Sequence, residues 1–181
     1  MLQHVVIGDA AVALMVTAVR GPLLVFMLPA PILVQVVKAR SFFGLLLRPY
    51  VAFALWAANL ATWHVPYLYD LAVRHQTLHD FEHLCWVVTG LLVWTLLVDP
   101  GSHKRLTVGG RIALAAAMFA CGQILGDVFV FSFHQLYPLY PGRTDQQLAG
   151  VVMMVEQLAT LSVLAFVLLR PRVRTARLVA A

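Results

Sequence analysis

The chain has 181 residues, of which 61% are hydrophobic and 12% charged, and its formal net charge is +5. Soluble domains carry about 25% charged residues, so this composition excludes a water-soluble enzyme and offers no nucleic-acid-binding surface. It points to a protein built in lipid, and one helical bundle over 1–181 accounts for the whole length.

A helix needs about 20 apolar residues to cross the roughly 30 Å hydrocarbon layer. Breaks at charge, proline and glycine give spans near 3–19, 49–67, 80–98, 110–132 and 148–169. The first opens on Met1-Leu2-Gln3-His4, without a basic n-region or a following small-residue cleavage site, so it is expected to be retained rather than removed as a signal peptide. The next segment, 22–37, is short and carries Pro22, Pro29 and Pro31, which remove donors and disfavour a straight helix. It lies in the interface, re-enters, or makes a sixth span. The expected fold is therefore an all-α, polytopic transmembrane bundle of five spans plus this proline-rich piece. Cys85 and Cys121 fall inside spans, which argues against a disulfide framework.

With five spans, Arg20, Lys38, Arg40, Arg48, Lys104, Arg105, Arg111, Arg170, Arg172, Arg174 and Arg177 share one side, leaving Arg74 and Arg143 opposite. Such an asymmetry places the basic side in the cytoplasm, with the amino terminus outside and the carboxyl terminus inside. The tail "RPRVRTAR" then meets anionic membrane lipid.

Under this topology His4, His64, His75, His79, His83 and His134, six of the seven histidines, fall at the outer face. At about 100° per residue His79, Glu82, His83 and Trp86 form one helical stripe, which Gly90 continues deeper. Imidazoles one turn apart suit a shared metal ion, and ligating histidines need a carboxylate partner, a role open to Asp80 or Glu82. On the preceding span His64 aligns with Ala61, Ala57 and Ala54, a row of small residues that favours close helix approach. His64, His79 and His83, with His4 as fourth, make the expected coordination set. Read singly, each histidine is better explained as an amphipathic residue of the headgroup region, bonded to water or lipid phosphate; it is the set that argues for a site.

Asp9, Asp127 and Glu156 lie in three different spans, about 9–12 Å in from the outer helix ends at 1.5 Å per residue. Intramembrane carboxylates are costly and mark functional positions. They are expected to support the site from below, or else each to be protonated and bonded to a neighbour such as Gln123 or Gln157. Gly122-x-x-x-Gly126 beside Asp127 is a close-packing signal.

Three chemistries compete for the histidines. His79-x-x-Glu82-His83 matches the inverted zincin motif, in which the glutamate activates a zinc-bound water, but no substrate cleft is marked. Histidines on neighbouring spans suit axial haem ligation for electron transfer, although a pair on one helix fits a small ion better. Copper suits a histidine-rich site.

Four stretches carry a family resemblance: Gln3-His4, "RPYVAFALWAANLATWHVPYLYDLAV" with His64-x-Pro66 and Tyr69, "LHDFEHLCWVVTGLLVW" with His79, Glu82 and His83, and "DQQLAGVVMM" from Asp145 to Met154. In their order the chain resembles the integral-membrane CtaG-type cytochrome c oxidase assembly proteins of Gram-positive and related bacteria. Val12 stands where many members have proline, and Met154 where tryptophan is usual. The resemblance implies a non-enzymatic role in the bacterial plasma membrane: copper held by His4, His64, His79 and His83, with Glu82 beside them, and delivered to the CuB centre of the catalytic subunit of a haem-copper oxidase. A constitutive structural subunit or scaffold of a respiratory complex, whose histidines contact a partner, is the alternative from a different class.

Overall fold

Proline and glycine divide the chain into helices, and helix is the only regular structure among the described residues. The computed structural model describes residues 4, 6–18, 29, 31, 34–35, 38–99 and 105–179, with side chains at all of these except 40, 167 and 169–179. The segment 22–37 falls, apart from four scattered positions, outside the described residues. A π-helical segment, Val6–Ala11, leads into α1 (Val12–Ala18). Then follow α2 (Arg40–Leu46), α3 (Pro49–Trp63), α4 (Pro66–Arg74), α5 (Gln76–Val98), α6 (Val108–Phe131) and α7 (Arg143–Val179).

Each boundary has a local cause. Pro49 and Pro66 open α3 and α4 at a first-turn position, where the missing N–H is no loss and the fixed φ suits a helix. Thr107 caps α6 by accepting from the Gly110 amide at 3.1 Å, and Asp99 ends α5 with a left-handed φ of 51°, a conformation that aspartate tolerates better than most residues. Arg111 then bonds the Asp99 carboxylate at 2.8 Å across the α5–α6 connection.

Among the described residues three helices are long and apolar enough to cross a membrane: Gln76–Val98, Val108–Phe131 and the Arg143–Phe166 part of α7. These match the expected spans at 80–98, 110–132 and 148–169 to within a few residues. The expected span 49–67 is shorter than the pattern implied. Pro66 disfavours a helical Val65, so α3 stops at Trp63 and the chain turns at His64 before α4 begins. Over the described residues the apolar helix Val6–Ala18 is likewise below crossing length, so three of the five expected spans are of membrane length there.

α5 forms the centre, packed against α1, α3, α4 and the π-helical segment, while α6 and α7 pair along their lengths. The main core joins Val12 and Val16 to Ala52 and Trp56, Val93, Trp94, Leu96 and Leu97, Leu114 and Met118, and Leu161 and Leu164. Two crossings rely on missing side chains. A Cβ on Gly90 would strike the Gly8 carbonyl oxygen, and one on Gly126 or Gly150 would strike Met154 or Phe129. The Gly122-x-x-x-Gly126 signal thus marks the α6–α7 contact, with the Met154 thioether seated on Gly126. Large apolar side chains such as Leu14, Ile124, Val155 and Val163 face outward, as lipid-facing positions do.

The alanine row of α3 does not pack as expected. Ala54 and Ala61 are exposed, and α3 instead buries Ala52, Trp56, Asn59 and Trp63. Bulky aromatic residues on that face fill the space beside α5 better than a smooth alanine stripe does.

Candidate metal centre

The site lies where α5 begins and α3 and α6 finish. Because α5 is continuous from Gln76, the one-turn spacing of His79 and His83 puts their rings side by side, with centroids 4.3 Å apart. The π-helical segment packs on α5, and just before it His4 reaches the pair: its ring lies 5.1 Å from that of His79 and 4.8 Å from that of His83. A ring nitrogen from each of the three lies within 4.8 Å of the other two.

Glu82 is buried at 3% exposure and closes the group. One carboxylate oxygen, Oε2, stands 3.4 Å from His4 Nε2 and 3.5 Å from His79 Nδ1, while Trp86 Nε1–H approaches the other at 3.4 Å. His4 Nε2, His79 Nδ1, His83 Nε2 and Glu82 Oε2 are all buried without a hydrogen-bond partner, four of the seven such side-chain atoms among the described residues. Buried polar atoms are normally satisfied. Three ring nitrogens within 4.8 Å of one another beside a buried carboxylate suit a cation.

The donor set fits a small metal ion. Imidazole nitrogen and carboxylate oxygen suit copper or zinc, and tetrahedral bonds of about 2.0–2.1 Å would set ligand atoms roughly 3.3 Å apart. The three ring nitrogens, within 4.8 Å of one another, approach that spacing.

The other expected residues divide. Asp80 is exposed and accepts from Gln76 Nε2 at 2.8 Å, so the carboxylate beside the rings is Glu82. His64 does not join the three rings. It sits at the C-cap of α3, off the helical register, and its Nδ1–H donates to the Leu60 carbonyl at 2.7 Å. Its ring stands edge-on to Trp86 at 6.0 Å and Phe129 at 5.9 Å. There it lines a cavity of about 70 Å³ shared with His4, Asp9 and Glu156. Asp127 is exposed and lines no part of it, because Gly122 and Gly126 face α7 and the next residue turns about 100° away.

The carboxylates find partners that the sequence did not suggest. Trp94 Nε1–H donates to Asp9 Oδ1 at 2.6 Å and Thr160 to Glu156 Oε1 at 2.7 Å, whereas Gln123 and Gln157 bond each other at 3.3 Å. Sequence reasoning also missed Tyr137, 2% exposed, whose hydroxyl donates to the His64 carbonyl oxygen. Gln146 accepts from the Leu136 amide at 2.7 Å and fixes this loop. Tyr137 packs with Tyr69 and Tyr140, and burial pushes the Tyr137 and Tyr140 hydroxyls well above the ordinary phenol range. Nothing in "LYPLYPGR" marks that contact across 73 positions.

Membrane-length helices around a buried imidazole–carboxylate cluster define an all-helical membrane protein with a candidate metal centre at one end. The family model described as cytochrome c oxidase caa3 assembly factor (Caa3_CtaG) matches residues 1–175. The chain belongs to that family of oxidase assembly factors. No curated protein and no solved structure matches it.

Proposed function

We propose that this chain is a non-catalytic assembly factor that holds copper at the outer membrane face and supplies it to the CuB centre of a haem-copper oxidase. The copper is cargo, bound through His4, His79 and His83 with Glu82 orienting the rings, and His64 handling the ion from the adjoining cavity. The observation that carries this reading is the gathering of a ring nitrogen from each of His4, His79 and His83 within 4.8 Å of one another, beside the buried Glu82 carboxylate, in a chain whose family assembles cytochrome c oxidase.

The matching topology is a single domain of five spans in a bacterial plasma membrane, with the amino terminus outside. It is supported by the distribution of arginine and lysine and by the outward apolar faces. Val6–Ala18 and α3 would cross by tilting less and by local thinning of the bilayer, since short segments are accommodated in that way. A non-catalytic role is supported by the burial of Glu82, which faces two imidazoles rather than a cleft where it would activate water.

Elemental analysis of the detergent-purified protein, wild type beside His79→Ala/His83→Ala, tests the reading after growth with copper and zinc both available. Copper near one equivalent or more in the wild type, reduced by one in the variant at unchanged helical content, is expected. Zinc in its place would revive the hydrolase, and equal metal in both proteins would move the site elsewhere. Co-purification with mature oxidase at fixed stoichiometry would instead favour a permanent subunit.

A further inference from the structure

Beneath the three-histidine cluster lies the cavity that His64 lines, and its chemistry differs from that of the cluster above it. His64, Asp9, Glu156 and Met153 face it, and His4 belongs to both places. At about 70 Å³ it has room for an ion and a few waters.

The donor atoms are prepared for a ligand. A carbonyl oxygen only accepts, so the 2.7 Å contact to Leu60 fixes the His64 proton on Nδ1 and leaves Nε2 of the neutral ring as a lone pair. Trp86 and Phe129 hold that ring edge-on. Asp9 and Glu156 lie within electrostatic reach of one another, and their bonds to Trp94 and Thr160 use one oxygen of each. Two carboxylates in a low-dielectric cavity repel unless one is protonated or a cation joins them. Met153, buried at 8% exposure, brings a thioether to the same wall, and thioether sulfur beside imidazole selects a soft ion such as Cu(I). Gln157 also lines the cavity, but its amide is engaged by Met118 and Gln123.

We propose that this cavity is a second, intramembrane station for a soft monovalent cation, held by His64 Nε2 and Met153 Sδ with Asp9 and Glu156 supplying the counter-charge. It deepens the copper reading and rests on it. The ion enters from the outer centre through His4 by ligand exchange, with no electron moved. His64 therefore belongs to the lower station, which explains why the fold sets it apart from the other three histidines.

The test is anaerobic titration of the full chain in detergent with Cu(I) against a chromophoric chelator, joined to X-ray absorption of the loaded protein. The wild type should bind two equivalents with a sulfur scatterer at the copper. Met153→Leu, which conserves volume, should lose the sulfur signal and weaken one equivalent at least tenfold. Glu156→Gln should weaken the same equivalent, and His79→Ala/His83→Ala should keep one equivalent with sulfur. A single equivalent lost in the double histidine variant, with no sulfur at the copper, would overturn the second station and leave the outer centre standing. A sulfur signal unchanged in Met153→Leu would also overturn it, whereas no copper bound to the wild type would overturn both.

Discussion

Gly90→Ala is expected to weaken metal binding from a distance of about 16 Å, eleven residues along α5 from His79 at 1.5 Å each. A Cβ at Gly90 would sit 2.5 Å from the Gly8 carbonyl oxygen, whereas close carbon–oxygen contacts settle at about 3.3 Å or more. The π-helical segment must then retreat by about 0.8 Å, and His4 moves with it. Metal–ligand distances are held to within about 0.2 Å, so such a shift takes His4 out of reach of an ion on His79 and His83. Losing even an orienting group costs 10–100-fold in affinity, so the loss of His4 should cost at least about 1.4–2.7 kcal/mol. Overpacking should lower stability by about 1–3 kcal/mol. Competitive titration with a copper chelator measures the first effect and thermal unfolding followed by circular dichroism the second. Gly44→Ala is the control, since a Cβ there meets nothing within 4 Å. Wild-type copper affinity in folded Gly90→Ala would refute the chain of reasoning from Gly8 to His4.

Metal removal should follow pH. Ligating imidazoles must be deprotonated, so copper affinity should fall as the solution is acidified, measured by equilibrium dialysis at stepped pH. A second pH effect is expected at the alkaline end. Tyr137 and Tyr140 have folded values raised by burial above the unfolded phenol value of about 10. Their contribution to stability is complete below that value and is lost as pH rises from it through the folded values, because the unfolded chain releases those protons first. Tyr137→Phe/Tyr140→Phe should flatten this alkaline decline in melting temperature. It should also lower stability at neutral pH by about 0.5–1.5 kcal/mol for the lost bond to the His64 carbonyl.

What the sequence made legible was whatever depends on one continuous helix. His79, Glu82 and His83 share a face because α5 runs unbroken from Gln76, and three spans showed themselves as uninterrupted apolar runs. Tertiary placement was not legible in the same way. The sequence pattern projects His64 onto the alanine face of α3, but with Pro66 ahead that helix ends four residues early, at Trp63, and the side chain leaves the register. The π-helical turn at Val6–Ala11 has no pattern of its own, yet it sets Asp9 against Trp94, 85 positions away. An intramembrane carboxylate needs a donor, and a buried indole N–H needs an acceptor. That rule foretells such a bond without saying which tryptophan provides it, since only packing brings the two together.

The two layers of donors also differ in how firmly they are oriented. Firmly held metal ligands pass their second ring N–H to a carbonyl or carboxylate, and loss of that support weakens a site by 10–100-fold. Among the described residues Glu82 steadies His4 and His79, at 3.4 Å and 3.5 Å. His64, by contrast, is locked on Leu60 at 2.7 Å and its backbone is tied to Tyr137. On the proposed reading the inner ligand His64 is therefore more firmly oriented than the outer three. His4, which belongs to both places, is on that reading the side chain at which the ion changes hands.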